Sequence, residues 1–290
     1  FYSLGVGEPY PISCEQSKGL GEVLDAIVSN FKEKADNEEN DSIKIAIVGR
    51  PNVGKSSITN RILGEDRVVV SDVAGTTRDA IETDFEVDGK KYTLIDTAGL
   101  RRKRGVENES VEGYSVIRSM EAIKRADVVL IVIDSSEDIS EQDVRIAGYV
   151  HEEGKPSVIV MNKWDKVDKD SYTINKMQDI IKEKFSFMDY AKPIFVSAVT
   201  GKRLMEVIKA VDYVYENASR RITTGTLNDI LSSAILSNEP PYRNGRKIKI
   251  QYITQATTNP PTFVLFVNDG SLMHFSYLRY LENRLRDAVD

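Results

Sequence analysis

An α/β fold, with a mostly parallel sheet between helices, followed by a small α+β unit, is predicted by three observations. Short aliphatic runs alternate with amphipathic stretches from Ile43 to about Tyr215. The runs are continuous, which marks strands buried on both faces and covered by helices. After about Ala218 the order changes to helix, strand, strand, helix.

Taken in order, the first segment belongs to a repeat. Residues 9–27 align without gaps to residues 193–211 at an offset of 184, with seven of nineteen positions identical, among them Ser13/Ser197, Lys18/Lys202, Leu20/Leu204 and Glu22/Glu206. Composition alone would give about one identity. Residues 1–34 are therefore read as the C-terminal tail of an upstream domain of the same type, and Phe1, standing where a methionine would begin a chain, as its cut edge. The polar, acidic stretch 35–42 reads as a linker. From 43 to 217 the expected strands are Ile43–Val48, Phe85–Val87, Tyr92–Ile95, Val128–Ile133, Ser157–Met161 and Ile194–Val196. Helices are expected from Lys55, around Val116–Ile123, and over Glu141–Val150, Ile174–Phe185 and Leu204–Tyr215. Residues 218–290 give a helix at Thr226–Leu236, strands at Lys247–Thr254 and Thr262–Val267, and a helix at Ser276–Ala288.

Composition narrows the function. The 290 residues are 41% apolar and 29% charged, as in a folded globular chain. The longest aliphatic run, Val128–Ile133, is far short of the roughly 20 residues of a membrane span, and no secretory signal opens the sequence, so no membrane partner and a cytoplasmic location are expected. One cysteine, Cys14, and two distant histidines, His151 and His274, make neither a disulfide nor a zinc site. The net charge of -6 gives no overall basic footprint, but residues 218–290 carry nine Arg and Lys against six Asp and Glu, a local +3.

The chemistry sits in five motifs. Gly49-Arg50-Pro51-Asn52-Val53-Gly54-Lys55-Ser56 fits the phosphate-loop pattern GxxxxGK[ST], directly after a buried strand and opening a helix. There Asn52, Val53 and Gly54 lend backbone N–H groups to phosphates, Lys55 brings charge to the outer phosphates, Ser56 is placed on Mg²⁺, and Ser57 is within reach of the α-phosphate. Ala74-Gly75-Thr76-Thr77-Arg78-Asp79 offers a second Mg²⁺ ligand; Thr77 is assigned, with Thr76 the fallback, since sequence does not separate adjacent threonines. Asp96, ending a buried strand in Asp96-Thr97-Ala98-Gly99, would hold the metal through water at the carboxyl edge of the sheet.

Asn162-Lys163-Trp164-Asp165 chooses the base. Guanine offers its N1–H and 2-amino donors side by side to the Asp165 carboxylate, whereas adenine presents an acceptor to it; the mismatch supports discrimination of about 10⁴. Ser197, Ala198 and Val199 close the base pocket, with backbone N–H groups near the guanine O6. GTP/GDP rather than ATP is the expected ligand.

The order GRPNVGKSS, GTTRD, DTAGL, NKWD, SAV resembles translation-factor-class GTPases. More narrowly, with TNPPTFVLFVN and SYLRYLENRLRDA, nearly the whole chain resembles the Der/EngA family of bacterial GTPases, which carry two GTPase domains in tandem and then a KH-like domain. The resemblance implies a P-loop GTPase domain followed by a KH-like domain and Mg²⁺-dependent hydrolysis. It further implies a role in assembly of the large ribosomal subunit, with rRNA as a partner and intramolecular docking with the missing first GTPase domain. Leu100 stands where Ras-like GTPases have the glutamine that orients water, so intrinsic hydrolysis is expected to be slow. Likeness to potassium-activated GTPases implies that Asn52 and carbonyls near Ser71–Gly75 bind K⁺, supplying charge in the transition state; the rival role for Asn52 is to stabilise the loop. Lys55, Thr77 and Asn52 are thus the candidate catalytic residues.

Arg101-Arg102-Lys103-Arg104 reads as an RNA or domain contact, or as a solvated loop. After residue 218 the only glycines are Gly225, Gly245 and Gly270, which excludes the GxxG clamp of RNA-binding KH domains. Arg243, Arg246, Lys247 and Lys249 still allow a backbone contact or a protein-docking face, and the final strand usual in the family is not expected. Two alternatives stand beside the GTPase switch: a nucleotide-sensing RNA or ribosome scaffold with negligible turnover, and a potassium-activated GTPase of RNA modification.

Overall fold

The computed structural model describes residues 10–13, 19–29, 42–66, 68–70, 82–95, 119–243 and 245–289. The chain divides into two compact units, one of Asn40–Ala218 and one that combines Phe1–Glu39 with Ser219–Asp290.

The first unit is built on a seven-stranded sheet. Its strands are β1 (Ile43–Val48), β2 (Val68–Val70), β3 (Thr83–Val87), β4 (Lys90–Ile95), β5 (Val128–Asp134), β6 (Ser157–Asn162) and β7 (Pro193–Phe195), in the order β2-β3-β4-β1-β5-β6-β7. Pairings from β4 through β1, β5 and β6 to β7 are parallel, while β2 and β3 add an antiparallel edge. Every residue of β5 and β6 is buried, as their unbroken aliphatic runs predict.

Side chains alternate between two cores because strand residues point to opposite faces. On one face Val128, Leu130 and Val132 pack with Ile58 and Ile62 of α2 (Lys55–Leu63) and with Leu204, Val207 and Val211 of α5 (Leu204–Ser219). On the other, Val129, Ile131 and Ile133 meet Ala147 and Val150 of α3 (Glu141–Glu152), Ile181 of α4 (Thr173–Lys184), and Ala122 and Ile123 of a helical segment 119–125. Each such Val, Leu or Ile side chain contributes about 1.5–3 kcal/mol by burial. The N-terminus of α3 is fixed by a capping box, the Ser140 hydroxyl accepting from the Asp143 N–H and the Asp143 carboxylate accepting from the Ser140 N–H.

The second unit holds α1 (Leu20–Ser29), α6 (Thr224–Ser237), the short hairpin β8 (Tyr242–Arg243) and β9 (Arg246–Lys247), the antiparallel pair β10 (Ile250–Thr257) and β11 (Thr262–Val267), and α7 (Phe275–Val289). Leu227, Leu231, Ile253, Tyr277 and Leu281 form its core. Asn228 of α6 binds both backbone groups of Ile253, which pins β10 to the helix. Helix α1 lies against α6, where Thr224 Oγ1 donates to Asp25 Oδ1 at 2.9 Å. This is a contact the repeat alone did not foretell. Gly19 and Arg203, which the sequence alignment matches before α1 and α5, both have left-handed φ, 74° and 62°.

Two elements differ from expectation. The strand expected at Lys247–Thr254 is β10, three residues later, because Gly245 with φ 72° turns Arg246 and Lys247 back onto Tyr242 and Arg243. Strand β2 was not anticipated; it is three residues long, and Val69 and Val70 are exposed at the sheet edge.

Candidate nucleotide site at the carboxyl edge of the sheet

The loop leaving β1 has a backbone that few residues could adopt. Gly49 has φ 147°, and a Cβ there would lie 2.3 Å from the Val132 carbonyl oxygen; Gly54 has φ 98° and Asn52 φ 65°. Helix α2 begins at once with Lys55, and Gly54 supplies no side-chain cap to its first turn. Ser56 and Ser57 follow in that turn. First-turn N–H groups lacking intrahelical acceptors, together with the positive end of the helix dipole, suit a phosphate. Lys55 Nζ lies against the same loop, donating to the Gly49 and Arg50 carbonyl oxygens, each at 2.7 Å. Donors, charge and backbone shape therefore fit a nucleotide's phosphates.

The segments expected on the base side are joined to this loop by one buried side chain. Asn162, the last residue of β6, donates from Nδ2 to the Val53 carbonyl oxygen at 2.8 Å, and its Oδ1 accepts from the Ala198 N–H at 3.1 Å. Gly54 is required beneath it, since a Cβ would sit 2.2 Å from Asn162 Nδ2. Lys163 follows with φ 59°, and its ammonium pairs with the buried carboxylate of Asp134. Trp164 turns into the core against Phe195, ring centroids 4.4 Å apart. That leaves Asp165 exposed at the rim of a cavity of about 270 Å³, lined also by Trp164, Phe195, Ser197, Thr200 and Lys202.

Burial by itself would raise the Asp134 carboxyl, but hydrogen bonds from Lys163 and from the hydroxyl and N–H of Ser136 outweigh it and hold the group below the ordinary carboxylate range. Sequence reasoning missed Asp134, although a carboxylate ending a buried strand is the signal that singled out Asp96. It also missed Arg50, whose guanidinium binds the buried Asp143 at 2.8 Å.

The structure thus brings together Asn52, Val53, Gly54, Lys55, Ser56 and Ser57 on one loop and helix, linked through Asn162 to Lys163, Asp165, Ser197, Ala198 and Val199. The Ala198 N–H, expected near the guanine O6, is donated to Asn162. Thr77 and its fallback Thr76, Asp96, Leu100, the Ser71–Gly75 stretch and Arg101–Arg104 lie outside the described residues. Among the described residues no cluster of His, Cys, Asp and Glu could hold a metal by itself, and no helix is long and apolar enough to cross a membrane.

Comparison with known proteins gives two family matches. Residues 44–163 match a family described as 50S ribosome-binding GTPase, and residues 221–290 match the KH-domain-like C-terminal family of EngA bacterial GTPase enzymes. The chain is 55% identical over 289 residues to GTPase Der of Staphylococcus epidermidis, covering 99% of this chain and 66% of that protein. With GTPase Der of Agathobacter rectalis it shares 51% identity, covering 99% and 65%. The chain thus spans about two thirds of the length of these relatives. A solved structure, Era in complex with MgGDPNP and nucleotides 1506–1542 of 16S ribosomal RNA, is similar at TM-score 0.47 and 22% identity, over 85% of this chain and 87% of that one.

Proposed function

The chain belongs to the Der/EngA family of GTPases, and from that premise we propose that it binds and hydrolyses GTP as a conformational switch. The observation that carries the reading is Asn162, which holds the phosphate loop at Val53 and the base-closing loop at Ala198 with one amide. That bond supports a single nucleotide lying across both.

In this reading the first-turn amides of α2 and the Lys55 ammonium stabilise the charge that develops on the β- and γ-phosphate oxygens while water attacks in line. Lys55 leaves the Gly49 and Arg50 carbonyls to do so. Asp165 reads guanine, and an amide of the Ser197–Val199 loop meets O6. Ser56, with Thr77 and Asp96, would hold Mg²⁺, which would supply charge neutralisation for the phosphates. Asn52, whose backbone is left-handed with φ 65°, would contribute to a K⁺ site beside the loop.

The switch acts in the cytoplasm on assembly of the large ribosomal subunit, with rRNA as partner and with docking to a preceding GTPase domain in the longer protein. Its support is the description of the family that matches residues 44–163 and the local +3 charge of residues 218–290. GTP turnover measured in K⁺ and in Na⁺, beside co-sedimentation with large ribosomal subunits in GTP analogue and in GDP, tests it. Turnover stimulated by K⁺ and nucleotide-dependent co-sedimentation are expected. Tight GDP binding without turnover in either salt would replace the switch by a nucleotide-sensing scaffold.

A further inference from the structure

We propose that the segment from Asp134 to Asp143 braces both halves of the nucleotide site, Asp134 acting through Lys163 on the base side and Asp143 through Arg50 on the phosphate side. The proposal rests on the reading of this site as a guanine-nucleotide site and adds two positioning residues that no motif contains.

Topology places the segment. Strand β5 lies between β1, which delivers the phosphate loop, and β6, which delivers Asn162 and Lys163, so the segment leaving β5 borders both. Each of its two carboxylates is almost fully buried, Asp134 at 2% and Asp143 at 1% exposure. A buried carboxylate is costly unless charge and hydrogen bonds meet it. Asp134 Oδ1 accepts from the Ser136 N–H at 3.0 Å and hydroxyl at 2.7 Å, which fixes the carboxylate and turns Oδ2 to the Lys163 ammonium. The stem of Lys163 is thereby held in one direction rather than sweeping the base site.

Asp143 is fixed in the same manner. Its Oδ2 accepts from the Ser140 N–H at 3.0 Å and hydroxyl at 2.8 Å, and Arg50 Nε lies 2.9 Å from Oδ1. Arg50 Nη2 reaches Glu137 at 3.4 Å. The backbone carbonyl of this same Arg50 holds Lys55. Capping α3 needs only the Ser140–Asp143 exchange, so a guanidinium that crosses from the phosphate loop to the capped carboxylate serves the loop rather than the helix. The brace thus sets the loop on which Lys55 turns.

The two arms predict different signatures, which a general loss of stability does not produce. GMP and GDP are titrated against a fluorescent GDP bound to the wild-type chain and to D134N, R50Q and D143N, with thermal midpoints recorded. R50Q retains the capping box and so keeps α3 even if D143N does not. R50Q is expected to weaken GDP about tenfold or more while changing GMP less than about threefold, since the β-phosphate lies in the braced loop. D143N follows the same pattern. D134N is expected to weaken GMP and GDP by one common factor of about five to tenfold, since the base is shared. Equal losses for both nucleotides in R50Q, or unchanged affinities in D134N, would overturn the proposal. A wild-type chain that binds no guanine nucleotide would overturn it together with the reading beneath it.

Discussion

Asn162 and Val53, 109 positions apart in sequence, are joined by a buried hydrogen bond of 2.8 Å. This bond makes the loop that follows β1 and the end of β6 one object. Asn162→Ala leaves both the Val53 carbonyl and the Ala198 N–H without that partner, so the chain is expected to lose about 1–3 kcal/mol of stability. GDP affinity should fall at least tenfold beyond what the lost stability explains. Urea unfolding and GDP titration of the same variant read the two effects.

Gly54→Ala tests the same junction from below. Its Cβ would lie 2.2 Å from Asn162 Nδ2, and the φ of 98° is strained for any residue with a side chain. Loss of measurable GTP binding is expected with α2 still folded, as followed by fluorescence titration and circular dichroism.

Away from the site, Tyr92 is buried and donates to Asp212 Oδ1 at 2.8 Å, tying β4 to α5. Burial first, and then the bond to Asp212, push the Tyr92 hydroxyl above its ordinary value of 10.0. A raised value means that the stabilising contribution is intact below about pH 10 and is lost as pH rises beyond it. Tyr92→Phe should cost about 1–2 kcal/mol at neutral pH. Its stability should also fall less than the wild type's above pH 10, measured by urea unfolding across the alkaline range.

Asp134 gives the opposite dependence. Its carboxyl is held below the ordinary 3.8, so its contribution is present above that value and is lost as pH falls through the lower folded-state value. The stability difference between wild type and D134N should therefore be constant from neutral pH to about pH 5 and shrink below about pH 4, as read by urea midpoints in acid.

Much of this architecture was legible because its signals are local. Val128–Asp134 and Ser157–Asn162 announce themselves as buried strands, and Gly49–Ser56 falls between a strand and a helix as its chemistry requires. The S-x-x-D spacing of Ser140 and Asp143 is local too, yet the role of Asp143 depends on Arg50, 93 positions away, and no periodicity records that pairing. The edge strand Val68–Val70 went unread for another reason: it is short and exposed, and hydrophobic pattern reports burial rather than backbone pairing. Likewise Arg246 and Lys247 run into the β-rich composition of Ile250–Thr257, and only the turn at the left-handed Gly245 shows that they pair back with Tyr242 and Arg243.

The proposed base selection by Asp165 is the centre of the account, since it would make a phosphate loop part of a site for GTP. Steady-state hydrolysis of GTP and of XTP by the wild-type chain and by Asp165→Asn, in Mg²⁺ and K⁺, tests it most directly. The wild type should turn over GTP and leave XTP nearly untouched, and the variant should reverse that preference, because an amide oxygen accepts only one of guanine's two donors while its NH₂ meets the additional carbonyl of xanthine. A GTP-to-XTP ratio unchanged by the substitution, or no turnover of GTP by the wild type, would contradict it.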